Sequence, residues 1–161
     1  MAVFGFGFLV FLLLMSCNRE AESHTANFPK SVEVVSEMPS QSNFWIFVMV
    51  GQSNMAGRGF VEPQDTVPDT RVFSFDANNQ WIFAKEPLHY YEPDLTGLDC
   101  GLSFGKKLAS YLPDSISIGL IPCGVGGTSL EQWTGDSAFR GVKLKSNLKE
   151  KIRIAEKDGT V

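Results

Sequence analysis

At 161 residues, 43% of them apolar, the chain is long enough for one domain with a real core. A net charge of −4, with acidic and basic residues interspersed rather than in runs, excludes a nucleic-acid role driven by phosphate neutralisation. There is no internal repeat.

The first sixteen residues stand apart. "VFGFGFLVFLLLM" is continuously apolar and "SCNRE" then begins ordinary polar sequence. The run is too short to span a bilayer as a stable helix and fits the apolar region of a signal peptide. Its end, Leu14-Met15-Ser16-Cys17, resembles a bacterial lipoprotein signal, in which the cysteine is acylated and becomes the new N-terminus. No Lys or Arg precedes the apolar run, so an uncleaved anchor or a mis-chosen start is the competing reading. The division expected is a signal peptide over 1–16, a flexible polar tether over 17–43, and a domain over 44–161. The protein is then exported and held to a bacterial membrane by lipid at Cys17, in the periplasm or on the cell surface. In an oxidising compartment Cys100 and Cys123 are either a disulfide or two buried thiols.

Residues 44–50 (FWIFVMV) form an unbroken apolar run ending at Gly51, the pattern of a strand covered on both faces. The small residues of "SNMAGRG" suit a short helix or turn. After a Pro-, Asp- and Asn-rich stretch, "RVFSFDANNQWIFA" reads as a hairpin with Asn78-Asn79 at its turn. "GLSFGKKLASYL" (101–112) has helical spacing and is stopped by Pro113. "SISIGLIPC" (115–123) is a second core strand, followed by the turn "GVGGTS". The segment 143–158 places Leu144, Leu148, Ile152 and Ala155 on one helical face, with Gly159 as its stop. Strands alternating with helices predict an α/β sheet with parallel strands, whose ligands bind beyond the strands' carboxyl ends. Both glycine-rich turns fall there.

The turns exclude several chemistries. "CGVGGTS" has Ser129 where a dinucleotide fingerprint needs its third glycine. "GLIPCGV" lacks the Lys-Ser/Thr of a phosphate loop, and "GQSNM" has Met55 where a nucleophile elbow has its second glycine. Three blocks in order, "GQSNMAGRG" after a buried strand, "GLSFGKKLA", and "IGLIPCGVGGTSLEQW", instead resemble the SGNH hydrolases. The version they resemble is that of carbohydrate esterases and sialate O-acetylesterases, over residues 44–161.

The resemblance implies a three-layer, flavodoxin-like parallel sheet, incomplete at the C-terminus, and an esterase acting on an acetylated glycan without metal or cofactor. Ser53 is then the nucleophile. Its own N–H and that of Gly126, with Gly127 as the fallback, form the oxyanion hole. Gln52, Asn54, Thr128 and Trp133 are candidate substrate contacts. Gln52 and Asn54 equally serve to fix the turn, and Trp133 equally serves as a core or rim aromatic. Ser53 also suits a helix cap.

A serine nucleophile needs a histidine to take its proton and a carboxylate to orient that histidine. The family supplies these from an Asp-x-x-His pair near the end of a longer domain. Here the histidines are His24, in the tether, and His89. Glu86-Pro-Leu-His89 imitates the spacing but precedes the second core strand, so His89 reads as a loop residue. The chain is accordingly expected to be the N-terminal part of an esterase, inactive alone. A non-catalytic carbohydrate-binding or cell-surface protein of the same fold is the alternative from another class.

Overall fold

The computed structural model describes residues 23–161, so the apolar leader and Cys17 lie outside the described residues. Within them no helix is long and apolar enough to cross a membrane. The elements run β1 (Phe44–Met49), α1 (Ser53–Ala56), β2 (Val72–Phe75), β3 (Trp81–Phe83), α2 (Gly101–Ala109), β4 (Ser117–Pro122), α3 (Leu130–Gly135), β5 (Ala138–Phe139), β6 (Val142–Lys143) and α4 (Leu144–Ala155).

The main sheet has four strands in the order β1-β4-β2-β3. β4 pairs in parallel with β1 and β2, and β3 returns antiparallel to β2. This is the expected three-layer α/β arrangement. β1 and β4 read as continuous apolar runs because both of their faces are covered. Phe44, Ile46, Ile121 and Cys123 face a layer that includes Ala155 and Leu148 of α4 and Trp133 of α3. Met49, Ile118 and Leu120 face the opposite layer, with Leu102 and Ala109 of α2. Phe44, Ile118, Leu120 and Ile121 are fully buried, each contributing roughly 1.5–3 kcal/mol. Gly119 of β4 is glycine for lack of room: a Cβ there would lie 2.7 Å from the Phe44 ring and 2.9 Å from that of Trp81.

The hairpin over 71–84 forms as its residues suggest. Asn79 takes a left-handed φ of 60°, and Asp76 Oδ1 accepts from the N–H groups of Asn78 and Gln80 at 2.8 Å each. The helix expected over 101–112 ends earlier, at Ala109. Tyr111 and Leu112 bond back only three residues, to Leu108 and Ala109, so the last turn tightens before Pro113. After α4 the chain reaches Thr160, which bridges in parallel to Trp45, with Ile46 donating to the Thr160 carbonyl at 2.7 Å. β1 is therefore paired on both sides.

One expectation is corrected. Residues 23–43 do not form a free tether. The Val35 N–H donates to the Trp81 carbonyl, and the Phe83 N–H to that of Glu33, both at 2.9 Å. Val35 is buried, and the Asn27 amide donates to the Val61 carbonyl at 3.0 Å. The physical reason is the open edge of β3, whose unpaired backbone groups this polar segment satisfies through its own backbone. Cys100 and Cys123 are both free thiols, the first exposed and the second buried. Burial pushes the Cys123 thiol up to about 11, which keeps it protonated and inert.

Candidate active site

The β1 strand delivers Ser53 to the carboxyl edge of the sheet. The chain leaves β1 through Val50 and Gly51, and Ser53 is the first residue of α1. The cap of that helix is Gln52, whose side chain accepts the Ser53 N–H at 3.2 Å. Ser53 does not serve as the cap. Its half-buried hydroxyl donates to the same Gln52 oxygen at 2.8 Å. Asn54, next in line, is exposed.

The register of β1 with β4 sets the second turn beside the first. The Cys123 N–H donates to the Met49 carbonyl at 2.9 Å, and the Val125 N–H to that of Gly51 at 3.0 Å. Thr128 ends this turn, its hydroxyl donating to the Val125 carbonyl at 2.8 Å and accepting from the Trp133 indole at 3.0 Å. Trp133 is partly buried against the core and also lines a cleft of about 430 Å³ with Gln52, Thr128, Leu130 and Lys145. Trp133 is thus a rim aromatic beside an open cleft. The cleft runs from Gly51 and Gln52, just before Ser53, to Thr128 and Ser129; Ser53 itself does not line it.

The turn's donors differ from expectation. The Gly126 N–H is bonded to Glu92 Oε2, not left open. That oxygen also accepts from Arg58 at 2.8 Å, and Arg140 pairs with Oε1. A Cβ on Gly126 would lie 2.0 Å from Arg58 Nη2 and 2.7 Å from the Glu92 carboxylate. Glycine is needed there because an ion pair packs on its α-carbon. Gly127, exposed and at φ 77°, holds an N–H without a protein partner among the described residues, so of the two candidate donors it is the open one. Burial raises the Glu92 pKa, but the Gly126 N–H and the two arginines outweigh it, and the net direction is down.

His89 is a loop residue, as expected, but not an exposed one. It is buried, with Nδ1 2.7 Å from Asp99 Oδ2, and Nε2 has no hydrogen-bond partner. The Thr96 hydroxyl donates to the His89 carbonyl at 2.8 Å. A Cβ on Gly124 would come within 2.9 Å of Nε2 and, equally, of the Ala56 N, which places the imidazole against α1 and the second turn. It makes no bond to Ser53. Glu86 is buried beside it, its Oε2 accepting from the Asp99 N–H at 3.4 Å. His24 bonds the Thr96 carbonyl at 2.5 Å. Sequence reading missed Asp99 and Glu92. Asp99 stands one residue before the cap of α2, which is Cys100, and its Oδ1 accepts the N–H of Gly101, two residues on, at 2.6 Å, a local turn of the kind aspartate favours. Glu92 carries no local signal, since its partners lie 34 and 48 residues away.

Comparison with known proteins follows this geometry. The model of a family described as "SASA: Carbohydrate esterase, sialic acid-specific acetylesterase" matches residues 43–158. The probable carbohydrate esterase At4g34215 of Arabidopsis thaliana is 32% identical over 147 residues, covering 79% of this chain and 52% of that protein. The X-ray structure of the Arabidopsis protein of that designation aligns with a TM-score of 0.62 at 30% identity, over 74% of this chain and 54% of that one. The crystal structure of NanS aligns with a TM-score of 0.51 at 20% identity, over 73% and 50% respectively, and speaks for the fold alone. The chain spans about half the length of these relatives.

Proposed function

This chain belongs to the carbohydrate esterase family of sialic acid-specific acetylesterases, and from that premise we propose that it carries the nucleophile of a serine O-acetylesterase. The observation that carries the reading is the placement of Ser53. It stands at the carboxyl end of a core strand, at the start of a helix, with a glycine-rich turn hydrogen-bonded alongside.

The chemistry follows from those positions. Ser53 Oγ attacks the acetyl carbonyl, the carbonyl π pair moves onto oxygen, and the N–H groups of Ser53 and Gly127 receive that oxyanion. Collapse expels the sugar hydroxyl and leaves acetyl on Ser53, and water then releases acetate by the same route in reverse. Gln52 Oε1 occupies the place of the ester carbonyl before substrate arrives, since it accepts both the O–H and the N–H of Ser53. Its side chain is exposed, so it rotates away at little cost. The proton from Ser53 Oγ must pass to a base and on to the departing sugar oxygen, and the hydrogen bond that Ser53 makes among the described residues, to Gln52 Oε1, supplies no such base. The cleft with Trp133 and Thr128 receives the sugar, the indole face offering the apolar platform a pyranose ring stacks on.

The test is acetate release from O-acetylated sialic acid, acetylated xylan and p-nitrophenyl acetate by the natural polypeptide containing these residues, with and without Ser53→Ala. Ser53-dependent release from a glycan supports the reading. Glycan binding that survives without any hydrolysis moves it to a non-catalytic carbohydrate-binding protein.

The same proposal includes export as a lipoprotein acylated at Cys17, supported by the apolar run ending in Leu14-Met15-Ser16-Cys17. Detergent-phase partitioning of the expressed protein is expected to disappear on Cys17→Ser. Unchanged partitioning would rule out that anchor.

A further inference from the structure

The Glu92 carboxylate touches the nucleophile segment, the second turn and the β5–β6 hairpin together. Its side chain is 4% exposed. Oε2 accepts the Gly126 N–H and Arg58 Nη2, and Oε1 pairs with Arg140. Arg58 follows directly on α1 and its other terminal nitrogen donates to the Gly57 carbonyl at 2.6 Å, so it is held to the segment that Ser53 begins. Arg140 sits at the tip of the β5–β6 hairpin at φ 48°, and its guanidinium comes within 3.9 Å of where a Cβ on Gly127 would stand. Glu92 is itself anchored, because its carbonyl accepts the N–H groups of Leu95 at 2.9 Å and Thr96 at 2.8 Å.

A buried carboxylate shared by two arginines has an ordinary structural use, which is charge pairing. The contact with Gly126 goes beyond that use. A peptide N–H fixed from inside the fold fixes the plane of its peptide and so constrains the next amide, the Gly127 N–H, in a turn that glycine otherwise leaves free to swing. We propose that Glu92 is a positioning residue for the oxyanion hole: by holding the Gly126 peptide it aims the Gly127 N–H, and through Arg58 it ties that aim to the segment carrying Ser53. This rests on the esterase reading above. Orientation errors of about 1 Å at such a donor cost on the order of 10²-fold in rate, which is why a residue outside the chemistry matters here.

Reach and charge can be separated. Glu92→Gln keeps an oxygen acceptor at the same distance and loses the charge. Glu92→Asp keeps the charge and withdraws the acceptor by one bond, about 1.5 Å. In the natural polypeptide, Glu92→Asp is expected to lower kcat about 10- to 100-fold with KM little changed, while Glu92→Gln stays within about threefold of the parent. The opposite order, Gln impaired and Asp near normal, would make Glu92 an ion-pairing residue only and overturn the proposal. Amide exchange at Gly126 supplies a readout independent of turnover: slow in the parent and in Glu92→Gln, faster in Glu92→Asp. A fast Gly126 amide in the parent also overturns it. Absence of any Ser53-dependent turnover in the parent counts against the esterase reading instead, and leaves the exchange result to judge the contact by itself.

Discussion

The 161-residue chain alone is expected to release acetate no faster than its own Ser53→Ala variant, whereas the polypeptide extended to the length of its relatives is expected to be active and to lose that activity on Ser53→Ala. The reason lies in the proton. A serine hydroxyl at neutral pH is a weak nucleophile until a base accepts its hydrogen. Here that hydrogen is directed to an amide oxygen, Gln52 Oε1, which is no base. Of the histidines, His24 bonds the Thr96 carbonyl, and His89 lies buried against Asp99 without a bond to Ser53. What a nucleophile retains without its base is roughly 10³–10⁴-fold over water in the best-studied hydrolase, and that residue comes from binding and the oxyanion hole. The measurement is p-nitrophenyl acetate and O-acetyl glycan hydrolysis by the chain, the extended form, and both with Ser53→Ala. Strong Ser53-dependent turnover by the chain would promote the buried Asp99–His89 pair to the missing base. Activity of the extended form that survives Ser53→Ala would remove Ser53 from the mechanism.

The parts of this molecule that were legible in the sequence are those with a local or periodic signature. β1 and β4 announce themselves as apolar runs because burial on both faces leaves no room for polar alternation, and the Asn78-Asn79 turn follows from residues that tolerate positive φ. Their parallel pairing also places both glycine-rich turns at one edge, so Ser53 and the 124–128 turn meet without any further information. What was not legible depends on contacts between irregular segments. The docking of residues 33–35 on β3 uses backbone groups, and composition reports only side chains. The β5–β6 hairpin has strands of two residues each, too short for a period to show. The difference between Gly126 and Gly127 turns on one carboxylate and two arginines that come from three separate loops.

The buried polar cluster beside α1 leads to a second large effect, on stability rather than turnover. Glu86 and Asp99 are both buried carboxyls within hydrogen-bonding distance through the Asp99 backbone, and two charges in one dry site repel. Asp99 Oδ2 lies 2.7 Å from His89 Nδ1, and Asp99 Oδ1 accepts the Gly101 N–H. Glu86 lacks such donors on Oε1, and burial first, then the neighbouring Asp99, pushes its pKa from 4.5 up to about 8. The folded state thus keeps a proton that the unfolded chain has released at any pH between those two values. The sign is fixed by that: stability from this group is fully present below about pH 4.5 and falls as pH rises toward 8, by about 1.4 kcal/mol per pH unit for one proton. Summed over the window the loss is on the order of 4 kcal/mol, a large share of the roughly 5–15 kcal/mol that holds an ordinary domain together. Glu86→Gln, which has the shape of the protonated acid and cannot ionise, is expected to match the parent near pH 4.5 and to exceed it increasingly up to pH 8. Urea unfolding of both proteins at pH 5, 6, 7 and 8 reads the effect as a difference in which the titrating groups remote from Glu86 cancel. A difference that stays constant across the series would mean that Glu86 is ionised in the folded chain, and that His89 and Asp99 accommodate a second buried negative charge.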